Sequence, residues 1–258
     1  MMKVVFFDVD GTLLSEIDRS LSPSTAESIR ELIRKGVQVV LVTGRPYNLC
    51  EEFRSLGIDT IISANGALIK SGDEVIHKSV LSAQMVREFS EFAELHGHSI
   101  SYFTESFEMN GLSTADERLR EALQDTLGLL DSPLKISTLD QDIYCMCLYA
   151  DENETEKFQV KFPALRFVRF HPYVTNVLEA SEVSKSIAAG KVLNHLKISK
   201  EEAMAFGDGE NDVDLLVHAG IGIAMGNGGK RIKQSADYVT LRASEDGVTH
   251  ALKKFKVI

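Results

Sequence analysis

The chain has 258 residues, enough for one large domain or two modest ones with a real core. Its 38 acidic and 28 basic side chains leave a net charge of -10, which repels a nucleic-acid backbone and anionic lipid and so excludes both as partners. Three cysteines make no disulfide framework, and Asp8 and Asp10 interrupt the apolar opening before a signal-peptide core or membrane span could form; the expectation is a cytoplasmic protein with reduced thiols.

The β-branched and aromatic run Val4 to Phe7 predicts a buried strand. Ser24 to Arg34 carries a helical pattern, Val37 to Val42 a second strand and Thr60 to Ser63 a third. Short strands alternating with helices are the signature of a parallel sheet wrapped by helices. From about Leu81 to residue 180 the character changes. Helical patterns at Ala83 to His96 and Arg118 to Leu127 are interleaved with the runs Ile143 to Tyr149, Leu165 to Phe170 and Thr175 to Leu178, which predict a mostly antiparallel sheet. The opening rhythm returns at Ala203 to Phe206, Ile221 to Ala224 and Tyr238 to Val239. The expected fold is α/β: a Rossmann-like three-layer core with a parallel sheet, built from residues 1–81 and 181–258, with an α+β domain inserted over residues 82–180. Short double linkers suit a hinged lid.

In an open parallel sheet, ligands bind outside the carboxyl ends of the strands. Three such ends carry polar residues: Asp8-Val9-Asp10-Gly11-Thr12, Thr43-Gly44-Arg45, and Gly207-Asp208-Gly209-Glu210-Asn211-Asp212. Two aspartates two apart at a strand end let one attack while the other manages protons. A carboxylate is a competent nucleophile toward phosphorus once the phosphate charge is neutralised, and water can cleave the resulting acyl phosphate. Asp8 and Asp208 offer the hard oxygens that Mg2+ prefers, and Asp10 is the candidate proton donor and acceptor. Donors for the phosphoryl oxygens are the Thr43 hydroxyl, the Gly44 N–H and the Lys185 ammonium, with Pro46 suited to the first position of a helix.

Together, Asp8-x-Asp10-Gly11-Thr12, Thr43-Gly44-Arg45, Lys185 and Gly207-Asp208-Gly209-x-Asn211-Asp212 resemble the four ordered motifs of the haloacid dehalogenase superfamily. Ser63-Ala64-Asn65-Gly66-Ala67 and Ala224-Met225-Gly226-Asn227 make the sequence most similar to its Cof-type hydrolases, which carry a large cap of the C2, or IIB, type. The resemblance implies a nucleophile at Asp8, acid/base work at Asp10, and Mg2+ held by Asp8, the backbone carbonyl of Asp10 and Asp208. It implies phosphate contacts from Thr43, Gly44, Lys185 and Asn211, with Arg45 and Asn65 near the substrate. Thr12 and Asp212 would support these groups, Asp212 by orienting Lys185 or a metal-bound water. Ser186 stands where the family usually has glycine, which questions the backbone beside Lys185.

Blander readings exist for single residues. Asp-x-Asp-Gly-Thr alone suits a capped turn, and Asn65-Gly66 is a turn signal as much as a substrate contact. Glu210 and Asp214 read as exposed helix-start charges, His96, His98, His171 and His195 as structural or solvated, with His171 a candidate cap contact, and Phe103, Phe107, Phe162, Phe167 and Phe170 as cap core. Turn chemistry gives no reason for four motifs in order. The sequence therefore predicts a phosphatase acting on a small phosphorylated metabolite through a phosphoaspartate. A phosphotransferase or mutase would use the same intermediate, and a non-catalytic phosphate-binding module is disfavoured, because a carboxylate aimed at a phosphoryl anion costs affinity.

Overall fold

The computed structural model describes residues 1–111, 116–129, 135–179, 181 and 183–258. Two compact units divide the chain: Met1–Gly44 with Cys50–His77 and Ser184–Ile258, and Arg45–Leu49 with Lys78–Val183. The borders expected from the sequence fall after residues 81 and 180, and position 180 lies outside the described residues. In chain order the opening segment holds β1 (Val4–Phe7), α1 (Pro23–Arg34), β2 (Gln38–Val42), β3 (Thr60–Ser63), β4 (Leu68–Ser71) and β5 (Glu74–Lys78). The middle holds α2 (Ala83–Leu95), β6 (Ser99–Phe103), β7 (Phe107–Met109), α3 (Glu117–Leu127), β8 (Lys135–Ile136), β9 (Cys145–Tyr149), α4 (Glu152–Lys161), β10 (Leu165–His171) and β11 (Val174–Glu179). The last segment holds α5 (Lys185–Leu196), β12 (Ala203–Gly207), α6 (Val213–His218), β13 (Ile221–Ala224), α7 (Lys230–Ser235), β14 (Tyr238–Val239) and α8 (Gly247–Lys254).

The first unit is built on a sheet in the order β14-β13-β12-β1-β2-β3-β4-β5. It is parallel from β14 to β3 and turns antiparallel at β4. Both faces are covered, so the central strands read as unbroken apolar runs rather than alternating ones. Val4, Val5, Phe6 and Phe7 are all fully buried, each burial contributing about 1.5–3 kcal/mol. On one face Phe6, Val40 and Ile62 pack with Ala188, Val192 and Leu193 of α5; elsewhere Phe7 stacks on Phe206 with ring centroids 5.0 Å apart. Helix α1 starts where the sequence stops it from starting earlier: Pro23 takes the first position and the Ser22 hydroxyl caps the N–H of Thr25 at 3.0 Å. Its buried stripe is Ala26, Ile29 and Leu32.

After β3 the chain reverses through Ala64, Asn65 and Gly66, all at positive φ. A side chain at Gly66 would stand 2.5 Å from the Ser184 carbonyl, so only glycine allows this turn to lie against the start of α5.

The second unit is a sheet in the order β10-β11-β9-β6-β7-β8, antiparallel except for β7 with β8. Its core gathers Phe89, Tyr102, Met146, Leu148, Phe158, Phe162 and Val177. Phe89 lies at the centre, its ring 5.1, 5.0 and 6.3 Å from those of Phe158, Phe162 and Phe167. Of the aromatics expected there, Phe103 and Phe107 pair with each other at 5.9 Å, and Phe170 is exposed because it falls where β10 bulges between Arg169 and His171. Cys145 and Cys147 share a buried face of β9 as free thiols. No described helix is long and apolar enough to cross a membrane.

Candidate active site

The parallel pairing of β1 with β12, register Phe7 against Phe206, sets the chain's two acidic strand ends side by side. Asp8 is buried, its N–H donating to the Phe206 carbonyl at 3.0 Å. Asp8, Asp208 and Asp212 each offer a carboxylate oxygen within 4.8 Å of the others.

Lys185 is the first residue of α5, capped by the Ser184 hydroxyl on the N–H of Ile187. Its ammonium is buried and donates to Asp8 Oδ1 at 2.6 Å and to Asp212 Oδ1 at 2.5 Å. Burial pulls the ammonium's pKa down, but Asp212 and Asp8 overcompensate and hold it above the ordinary lysine value. Asp212 Oδ2 accepts from the N–H groups of Gly209 and Asp208 at 3.0 and 3.3 Å. Both Asp212 oxygens are thus engaged by the protein, as suits a residue that orients Lys185.

Ser186 introduces no looseness. Its N–H and hydroxyl both donate to Asp214 Oδ2, at 3.3 and 2.7 Å. Asp214 is exposed in the first turn of α6, as expected of a helix-start charge, and in addition ties the start of α5 to α6.

Asp208 sits against the Asp8 loop through Asn227, whose amide donates to Asp208 Oδ2 at 3.0 Å and to the Gly11 carbonyl at 2.8 Å. A side chain on Gly11, which has φ 73°, would lie 2.2 Å from Asp208 Oδ2. The approach of the two loops requires glycine there. Burial first, and then the charge of Asp212, raise the Asp8 carboxyl well above the usual range and push Asp208 up to about 7. Hard oxygen donors that resist ionisation together are the donor set a hard divalent cation favours, so the residues present fit a metal ion.

The phosphate candidates converge on the same strand ends. Thr43 is buried at the end of β2, and its carbonyl accepts from the Asn65 N–H at 2.9 Å. Asn211 Nδ2 donates to Asn65 Oδ1 at 3.0 Å. Asn65 Nδ2 and Thr12 Oγ1 are buried with no hydrogen-bond partner among the described residues, and an unsatisfied buried donor is where a ligand oxygen is stabilising. Gly44 is half-buried at the same end. Pro46 precedes 3-10 turns over Tyr47–Leu56.

Three candidates behave differently. Asp10 turns its carboxylate to Arg19, Oδ1 to Nη2 3.1 Å, outside the group formed by the other three. Arg45 is buried but groups with the second unit, as does the segment through Leu49. His171 accepts from the Tyr173 N–H at 3.1 Å and lies 3.6 Å from Asp125. Sequence reasoning misses Arg19 altogether and reaches Asn227 only as part of a resemblance. The polar run Ser15 to Ser20, one turn after the aspartates, is the available signal for Arg19.

A model of the haloacid dehalogenase-like hydrolase family matches residues 5–252. YkrA of Bacillus subtilis strain 168 is 30% identical, over 99% of this chain and 98% of its own. The same organism's 5-amino-6-(5-phospho-D-ribitylamino)uracil phosphatase YcsE is 28% identical over 98% and 95%. Among solved structures, the subclass IIB sugar phosphatase BT4131 superposes with a TM-score of 0.86 at 31% identity, covering 100% of both chains. Fold, motif geometry and family match agree: the chain belongs to the haloacid dehalogenase-like hydrolases, as a phosphatase of the Cof type.

Proposed function

We propose that this chain is a Mg2+-dependent phosphatase of small phosphorylated metabolites, sugar phosphates or phosphorylated cofactors, working through a phosphoaspartate on Asp8. The observation that carries the reading is the buried ammonium of Lys185 between Asp8 and Asp212, with Asp208 in the same group. Asp8, the Asp10 carbonyl and Asp208 would hold Mg2+, which when bound neutralises charge between nucleophile and phosphate. Lys185 holds the Asp8 carboxylate in place and adds positive charge beside it. Asp8 attacks phosphorus, Asp10 gives a proton to the leaving oxygen, and Asp10 then takes one from the water that cleaves the acyl phosphate. Thr43, Gly44, Asn211 and the amide of Asn65 are suited to the phosphoryl oxygens, and Thr12 and Asp212 to supporting them.

The second unit, with Arg45, is the proposed specificity cap. YcsE and BT4131 are named for a phosphorylated ribityl compound and for sugars, which supports substrates of that size. Free buried cysteines suit a reducing cytoplasm. The test is phosphate release over sugar phosphates, nucleotides, pyridoxal phosphate and flavin mononucleotide. Release with Mg2+ that stops in chelator is expected; release from none of them, or full turnover in chelator, refutes the reading.

A further inference from the structure

Residues 15–20 form a turn with no part in the chemistry described so far. Leu14 bridges to Asp10 on one side and to Leu21 on the other, so the turn springs from the loop that carries Asp10. It is braced from within: the Ser15 N–H donates to the Ser20 carbonyl and the Arg19 N–H to the Ser15 carbonyl, both at 2.9 Å. Ser15 Oγ accepts from the Ile17 N–H at 3.2 Å, and Asp18 Oδ1 from the Ser20 N–H at 3.1 Å.

It is also braced from outside. Glu16 accepts from Arg242 Nε, the Ser244 N–H and the Ser244 hydroxyl at 2.7, 3.0 and 2.8 Å. Burial opposes its ionisation, yet Arg242 and Ser244 bring the carboxyl down to about 2. The turn is thereby fixed to the loop whose Ala243 N–H donates to Asn227 at 3.0 Å.

This bracing presents one side chain to the site. Arg19 is held left-handed, with φ 59°, a conformation that costs a non-glycine residue about 1–2 kcal/mol. Its guanidinium then meets Asp10 Oδ1. A half-exposed ion pair adds little to folding, so stability alone does not account for the strain. We infer that Arg19 is a positioning residue for Asp10: the anchored turn holds its guanidinium where it fixes the rotamer of the carboxylate that handles the leaving group's proton. The inference rests on the reading of Asp10 as proton donor.

The test compares wild type, Arg19→Ala, Arg19→Lys, Asp10→Asn and the double variant Arg19→Ala/Asp10→Asn on two esters, p-nitrophenyl phosphate and phenyl phosphate. A displaced general acid is felt most with the poorer leaving group, so Arg19→Ala should lose about tenfold in kcat on phenyl phosphate and less than about twofold on the activated ester. KM should hold, Arg19→Lys should recover part of the loss, and the double variant should be no slower than Asp10→Asn, as for two residues acting through one group. Equal losses on both esters, or a full additional loss in the double variant, overturn the inference while Asp10→Asn still shows its own leaving-group selectivity. If Asp10→Asn lacks that selectivity, the role given to Asp10 fails and the inference with it. Melting curves report folding, and Glu16→Gln, which loosens the anchor but leaves Arg19 in place, should show the same selectivity at smaller size; equal loss on both esters there counts against the proposal.

Discussion

In the first unit the buried charged groups Asp8, Lys185 and Asp212 stand at strand ends and a helix start, and their partners come from distant parts of the chain. In the second unit several buried polar groups are uncharged and pair across the sheet or with a packed helix, Ser101 with Tyr149 at 3.2 Å, Cys147 with Asn176 at 2.8 Å and Ser90 with Tyr102 at 2.8 Å, while its buried Glu108 carboxylate forms an ion pair with Lys135. Three carboxylates around one ammonium are expensive to desolvate and poor value as a folding device. Hydroxyls and amides paired across strands cost little and keep a sheet in register. If the proposed roles hold, the contrast divides residues held for chemistry from residues held for packing, and substitutions in the two units should fail in opposite ways.

The largest effect expected is for Asp8→Asn. Loss of the proposed nucleophile should lower phosphate release by about 10^4-fold or more, while the melting temperature holds or rises because one of three mutually repelling carboxylates is gone. A fall in melting temperature as large as that of a core truncation would break the comparison. Phe89→Ala is the opposite case. Removing the ring at the centre of the second unit's core should cost about 3–5 kcal/mol in denaturant unfolding, with hydrolysis of p-nitrophenyl phosphate per folded molecule within about twofold. Loss of that activity in still-folded protein would show that the second unit also serves the chemical step.

Gly11→Ala tests the same contrast with one methyl group. It should destabilise by about 1–3 kcal/mol and raise the Mg2+ concentration for half activity, since the methyl collides with Asp208. Gly36, with φ 77° and open space where a methyl would stand, is the control: Gly36→Ala carries the backbone strain alone, about 1 kcal/mol, and should leave the Mg2+ requirement unchanged. The smallest effect concerns pH. Asp208 has its carboxyl raised from 3.8 to about 7, so the folded state holds that proton more tightly than the unfolded state. Its contribution is favourable below pH 4, is lost progressively as pH rises from 4 to 7, and stays lost above. In metal-free protein, Asp208→Asn should remove this fall and raise the melting temperature near pH 7 relative to pH 4 by about 2–4 °C more than in wild type; identical pH profiles for the two proteins would refute the assignment. Added Mg2+ should flatten the wild-type profile by binding the ionised form.

Legibility in the sequence follows the same division. β1, β3, β13 and β14 have the bounds their apolar runs predict; for β1 and β3 a strand covered on both faces admits little else, whereas β14 lies at the sheet edge with Val239 exposed. β6 escapes a sequence reading: serine alternates with apolar residues in Ser-Ile-Ser-Tyr-Phe, yet all five are buried, since Tyr149 and the Asn110 side chain supply polar partners that no local pattern reveals. α4 escapes it for the opposite reason, ten mostly polar residues that bury only Thr155 and Phe158. The β4–β5 hairpin escapes it too, although Gly72 marks its turn. In the site, motif spacing brings Asp8, Lys185, Asp208 and Asp212 into view because few residue types can do their chemistry. Asn227 and Arg19 act by geometry alone, and that geometry arises only when loops far apart in the chain meet.

The place of β1 has a consequence for synthesis. Val4 pairs with Gln38 on one side and with Ala203 on the other. As the chain leaves the ribosome, β1 gains its first neighbour early and then carries an open edge, Val-Val-Phe-Phe, until β12 appears. At about 5–20 residues per second that wait lasts roughly 10–30 s, during which the edge is a template for any other extended chain. Asp8, the proposed nucleophile, spends the same interval without Asp208, the other carboxylate proposed to hold the cation. Docking of β12 ends both conditions at once, so the nascent protein closes this apolar edge in the same step that brings the Asp208 loop beside Asp8.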